Sequence, residues 1–161
     1  MDFQLRKDAR RWFRDIYDPK RYLLFDLYYF CLMAGFASGR RNTEINSDDV
    51  DGFVGYFPGD FQFRGRLLVG ALIHTELSRL VIDLDERDDV YSRVAELVDP
   101  NSPSYMSNDG VRLMNQYAHG GFDALCEYFG DDRPKSVETF IRKYFRCIKD
   151  LKNQTYTKSY D

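Results

Sequence analysis

Residues 22–37 read YLLFDLYYFCLMAGFA, sixteen residues that carry one charge, Asp26. The run falls short of the roughly 20 apolar residues a membrane-spanning helix needs. A carboxylate inside it would also be costly in lipid. The stretch is therefore expected to be a core helix, apolar nearly all round because it is buried nearly all round. Asp18-Pro19 just before it is a helix start: Asp can cap free N–H groups, and Pro fits the first helical position. Gly39 supplies the stop, and Arg40 and Arg41 follow it, beside the carbonyl end where cations are favoured.

On the N-terminal side, residues 3–16 read FQLRKDARRWFRDI. As a helix this segment would put Lys7, Arg10, Arg11 and Arg14 on one face, with Phe3, Trp12, Phe13 and Ile16 as its apolar edge. On the C-terminal side, residues 42–63 hold Gly52, Gly55, Pro58 and Gly59, which break regular structure. They also hold Phe53, Tyr56, Phe57, Phe61 and Phe63, which favour burial. An ordered, packed loop with a short strand or hairpin is expected there, and a loop of that length is often functional.

Helical patterns then cover about 63–84, with Leu67, Leu68, Ala71, Leu72, Leu77, Leu80 and Val81 as the core stripe, and about 86–98. Ser107 begins a helix reaching about Ala118, and His119-Gly120-Gly121 marks a break before a short helix over 122–129. A last helix starts at Asp132 or Ser136, with Phe140, Ile141, Tyr144, Phe145, Ile148 and Leu151 at a period close to 3.6. The fold class is all-α: a compact bundle of six or seven helices with one long, aromatic-rich, ordered loop. Residues 1–152 read as a single helical domain and 153–161 as a polar tail.

The chain has 161 residues, 43% apolar and 30% charged, which suits one soluble domain. Its charge is uneven. Residues 1–41 carry nine Lys/Arg against five Asp/Glu; residues 42–161 carry fourteen against twenty-one. Cys31, Cys126 and Cys147 are odd in number and sit among apolar residues, so they read as buried thiols rather than a disulfide framework. With no signal-peptide pattern at the N-terminus, a reducing cytoplasm is expected and a membrane is not.

Four groups could carry function. Lys7, Arg10, Arg11, Arg14, Arg40 and Arg41 could hold phosphates, since the guanidinium fork matches phosphate oxygens, and Trp12 and Phe13 could stack a base. The bland alternative is that these cations pair with the acidic remainder. Asp26 reads as a buried polar group, either ion-paired to an arginine of another helix or a site carboxylate. Asp48, Asp49, Asp51 and Asp60 could offer oxygens to Mg²⁺, although DDVDG at 48–52 has Pro58 where a calcium loop needs its closing Glu. Turn formation and helix capping are the plainer roles for these aspartates. No cofactor is otherwise evident. His74, beside Glu76, is read as structural ahead of catalytic. Tyr117 and His119 could line a groove. No nucleophile triad, P-loop or dinucleotide fingerprint is present, so whether the chain is an enzyme stays open.

Two stretches, DLYYFCLMAGFASGRR at 26–41 and LMNQYAHGGFDALCEYF at 113–129, resemble small helical proteins encoded beside prokaryotic DNA phosphorothioation and phage-defence genes. That resemblance implies a DNA-directed role and assigns no residue. Three functions follow as expectations. The first is a DNA-directed component of a modification or defence system, binding the backbone through the basic N-terminal face. The second is a Mg²⁺-dependent nicking nuclease using Asp48, Asp49 or Asp51. The third is a non-enzymatic assembly subunit whose Phe57, Phe61 and Phe63 dock another protein or a second copy.

Overall fold

A computed structural model describes residues 1–158. The element order is β1 (Phe3–Arg6), α1 (Lys7–Trp12), α2 (Leu24–Ser38), β2 (Val50–Val54), α3 (Gly65–Arg79), α4 (Arg87–Leu97), α5 (Asn108–Phe129) and α6 (Val137–Lys158), with single 3₁₀ turns at Ser47–Asp49 and Gly59–Gln62. Six α-helices and one two-stranded sheet of β1 and β2 make up the regular structure of the described residues. The all-α expectation therefore holds in the main, with a small sheet added. No helix among these residues is long and apolar enough to cross a membrane.

The expected helix over 3–16 is split. Phe3 and Leu5 are buried while Gln4 and Arg6 are only partly so, an alternation of period two that belongs to a strand. Only Lys7–Trp12 is helical. Downstream, Asp18 accepts the Arg21 and Tyr22 N–H groups through its carbonyl and the Lys20 N–H through its carboxylate. This makes one closed turn, and α2 begins only at Leu24. Gly39, at φ 66°, ends α2 in the left-handed conformation expected of a helix stop.

The chain packs as two compact units: Gln4–Gly52 with Gln116–Asp161, and Met1–Phe3 with Phe53–Asn115. In the first unit α2 packs on α6. Tyr144 donates its hydroxyl to the Phe30 carbonyl at 2.9 Å, and Thr155 donates to the Ala37 carbonyl at 2.9 Å. Between them lies an aromatic core in which Trp12, Phe13, Phe30, Phe122, Phe129, Phe140 and Tyr144 meet mostly edge to face. Trp12 and Phe13 are thus held in packing, not presented as a stacking platform. Phe145 is 68% exposed, outside the α6 stripe in which it was placed.

His119-Gly120-Gly121 is not a break, since α5 runs through it unbroken. A Cβ at Gly121 would lie 1.8 Å from the Cys31 carbonyl oxygen, and one at Gly35 would lie 2.0 Å from the Tyr117 oxygen. The glycines let the backbones of α2 and α5 touch. At the far end α6 continues through Asn153 to Lys158, where a polar tail was expected; residues 159–161 lie outside the described residues.

In the second unit α3 and α4 form a helical pair closed by a turn at 80–86. Glu76 is fully buried there and ion-pairs with Arg79 at 2.5 Å and Arg93 at 2.8 Å, while Arg93 also holds Glu96. Ser107 caps α5 by accepting the Gly110 N–H, as its sequence position suggested.

Candidate docking face

The basic N-terminal residues are mostly engaged within their own unit. Lys7 donates to the Asp48 carbonyl at 2.7 Å, Arg10 lies 3.6 Å from Asp51, Arg14 lies 3.8 Å from Asp15, and Arg40 pairs with Glu127 at 2.6 Å. Arg41 is engaged as well. Arg11 is exposed. The most firmly held cation is Arg6, which sequence reading did not select. It bonds Asp8 at 2.7 Å, Asp123 at 2.6 Å and the His119 carbonyl at 3.3 Å, with its guanidinium over the Phe122 ring. Burial alone would lower its pKa, but the hydrogen bonds to Asp8 and Asp123 reverse that and raise it. His119 beside it is pushed down to about 4, first by burial and then by the Arg6 charge, so it is neutral. Leu5, Ala9, Cys31, Ala118 and Phe122 close round this cluster and leave no water-sized space. Tyr117 and His119 are both buried.

Asp26 is half-buried rather than enclosed. It sits in the first turn of α2, where its carboxylate accepts the Leu23 N–H at 2.7 Å. Because the helix N-terminus favours a negative charge, no distant arginine is needed. Asp48 and Asp49 lie in the 3₁₀ turn, where Asp49 accepts from Asn46, while Asp51 faces Arg10. Asp60 lies in the 3₁₀ turn at Gly59–Gln62. Among the described residues no three His, Cys, Asp or Glu side chains converge as a metal site would require.

Of the aromatic trio expected at an interface, Phe57 and Phe61 are buried at 3% and 7% exposure. Phe57 packs on Phe3 with ring centroids 5.2 Å apart. These two belong to the core. Phe63 is different: it is 90% exposed at the entry to α3.

Phe63 begins a face that sequence reading missed. Phe63 and, along α3, Leu67, Gly70, His74 and Ser78, spaced three and four apart, are all exposed. The opposite positions Leu68, Val69, Leu72 and Glu76 are all buried. Leu67 is 74% exposed, and Val81 and Leu84 beyond the helix end are 86% and 71% exposed. Leu67 and Val81, expected in the core, face outward instead. Within α3 the outward positions Leu67, Gly70, His74 and Ser78 include one large apolar side chain, Leu67, against the buried Leu68, Val69, Leu72 and Leu77. Helical spacing does separate Leu67 from Leu68, and it is the one sequence signal that could have found the face.

Charges flank this stripe asymmetrically. Arg64 and Arg66 lie at its start and make no ion pair among the described residues, although Arg66 stacks over Tyr105 at 5.1 Å. Asp83, Asp85, Glu86, Asp88 and Asp89 lie at its end, and none is in an ion pair among the described residues. Their bonds are local: Asp83 accepts the Asp85 N–H, and Glu86 accepts the Asp83 N–H.

Comparisons with protein-family models, with curated proteins and with solved structures find no match.

Proposed function

We propose that this chain works as an assembly subunit that docks a protein through the exposed face of α3, rather than as a DNA-binding or DNA-nicking component. The observation that carries this reading is the exposure of Leu67 on α3, with Phe63 just before the helix and Val81 and Leu84 just after it. Large apolar side chains left exposed in number along one segment mark interaction sites, and aromatics are enriched at interface centres. The DNA reading has less support, because Lys7, Arg10, Arg14 and Arg40 already have oxygen partners. The nuclease reading has less still, because Asp51 faces a cation and Asp48 and Asp49 sit in a turn.

A photo-crosslinking amino acid at position 63, compared in cells with the same group at the exposed Phe145, tests the reading. A discrete crosslinked species from position 63 is expected. No product above the uncrosslinked background would overturn it.

A further inference from the structure

We propose that the occupant of the α3 face is a second copy of this chain, packed antiparallel about a two-fold axis near His74. This rests on the docking reading above and names the partner. Exposed apolar residues flank His74 on both sides. Leu67 and Val81 lie at equal sequence distance on either side of His74, and Phe63 and Leu84 lie outside them at the two ends. In a two-fold contact each residue i that meets j on the copy is met by j in return. Antiparallel packing brings the Phe63–Leu67 end of one copy to the Val81–Leu84 end of the other, twice over.

The same operation brings the unpaired charges together. Arg64 and Arg66 of one copy meet Asp83 and Asp85 of the other, with Glu86 closing the turn and Asp88 and Asp89 in the first turn of α4. A parallel arrangement would instead oppose like charges, which disfavours it. The antiparallel pair also sets opposite helix dipoles side by side.

Two residues are costly to the isolated chain in ways that a helix partner explains. Gly70 is the first. The other glycines inside the α-helices each have a neighbour that a Cβ would strike, yet a Cβ at Gly70 meets nothing within 4 Å. A helix-interior glycine costs about 1 kcal/mol relative to alanine, and nothing in the chain uses its lack of a side chain. A second helix crossing at that point would. Val81 is the second. It is β-branched, 86% exposed and held at φ 56°, the position where helices usually place glycine. Strain of this kind persists at functional sites, and here it puts an apolar side chain at the end of the stripe.

Sedimentation equilibrium of the full chain tests the pairing. The expected mass rises from 19.0 kDa toward twice that value with concentration. The paired variant R64E/R66E and the paired variant D83K/D85K should each lose self-association by about tenfold or more, and an equimolar mixture of the two should restore a dimer. Should Arg66 prove needed for folding through its Tyr105 stack, Arg64→Glu alone replaces the first pair. Gly70→Ala and Val81→Gly are expected to fold at least as stably as the parent and still dimerise about tenfold more weakly. A chain that stays monomeric at about 100 μM, where a dimer of 10 μM Kd would predominate, overturns the proposal. So does a mixture that fails to pair, or single charge reversals that leave the dimer intact. A monomeric chain whose position 63 still crosslinks to a different protein overturns the pairing and leaves the docking reading standing. A monomer with no crosslink removes both.

Discussion

The Ile82 N–H donates to the Leu77 carbonyl at 3.0 Å, and the turn so closed holds Val81 at φ 56°. With the Val81 N–H reaching the Ser78 carbonyl, this is a Schellman ending of α3 in which valine stands where glycine is usual. A Cβ-branched side chain is disfavoured in the left-handed region. Val81→Gly should therefore raise unfolding stability by about 1 kcal/mol, after allowance for the freer unfolded chain. In a thermal melt that is an increase of roughly 2–4 °C. A lower melting temperature would mean that Val81 packs against something in its own chain.

Gly121 and Gly70 should respond in opposite ways to the same change. Gly121→Ala drives a methyl into the Cys31 carbonyl and should destabilise by about 3 kcal/mol, because α2 and α5 would have to separate. Gly70→Ala adds a methyl in open space and should stabilise by about 1 kcal/mol. Urea midpoints of the two variants read the contrast directly.

The buried Glu76 carboxylate depends on Arg93 and Arg79. Removing Arg93 leaves a charge without exposure and with only part of its compensation. Arg93→Met should cost about 3 kcal/mol. Adding Glu76→Leu should recover most of that loss, since both halves of the buried pair are then gone. A double-mutant cycle by denaturant unfolding measures the coupling, and simple additivity would show that the pair contributes nothing.

His119 ties stability to pH. In the unfolded chain it titrates near 6.5; in the fold it is held down to about 4. Between those values the unfolded state binds the extra proton, so stability rises with pH. The contribution is fully present above about 6.5 and is lost as pH falls toward 4, to a total of about 3 kcal/mol. His119→Gln should flatten this part of the profile. The backbone carbonyl that receives Arg6 remains in the variant, so the Arg6 cluster stays assembled. Parallel pH–stability curves for parent and variant over 4.5–6.5 would contradict the assignment.

Local chemistry alone placed several features. The apolar run at 22–37 became α2, Gly39 stopped it, and Ser107 capped α5, because a cap or a stop acts within a few residues of its own position. Tertiary structure decided what depends on partners distant in the chain. Phe3–Arg6 is a strand because β2 lies beside it, although its sequence also fits a helix. Gly120 and Gly121 look like a helix break, and only the approach of the Arg40–Arg41 backbone to the first and of α2 to the second shows why they sit inside one. The basic front of the chain was legible as charge, but its availability was not. Whether Lys7 or Arg40 faces solvent or an oxygen of residue 48 or 127 depends on long-range folding. The outward face of α3 was hidden for the same reason. Leu67 and Leu68 are equally apolar, and the packing of the rest of the unit selects Leu68 for burial.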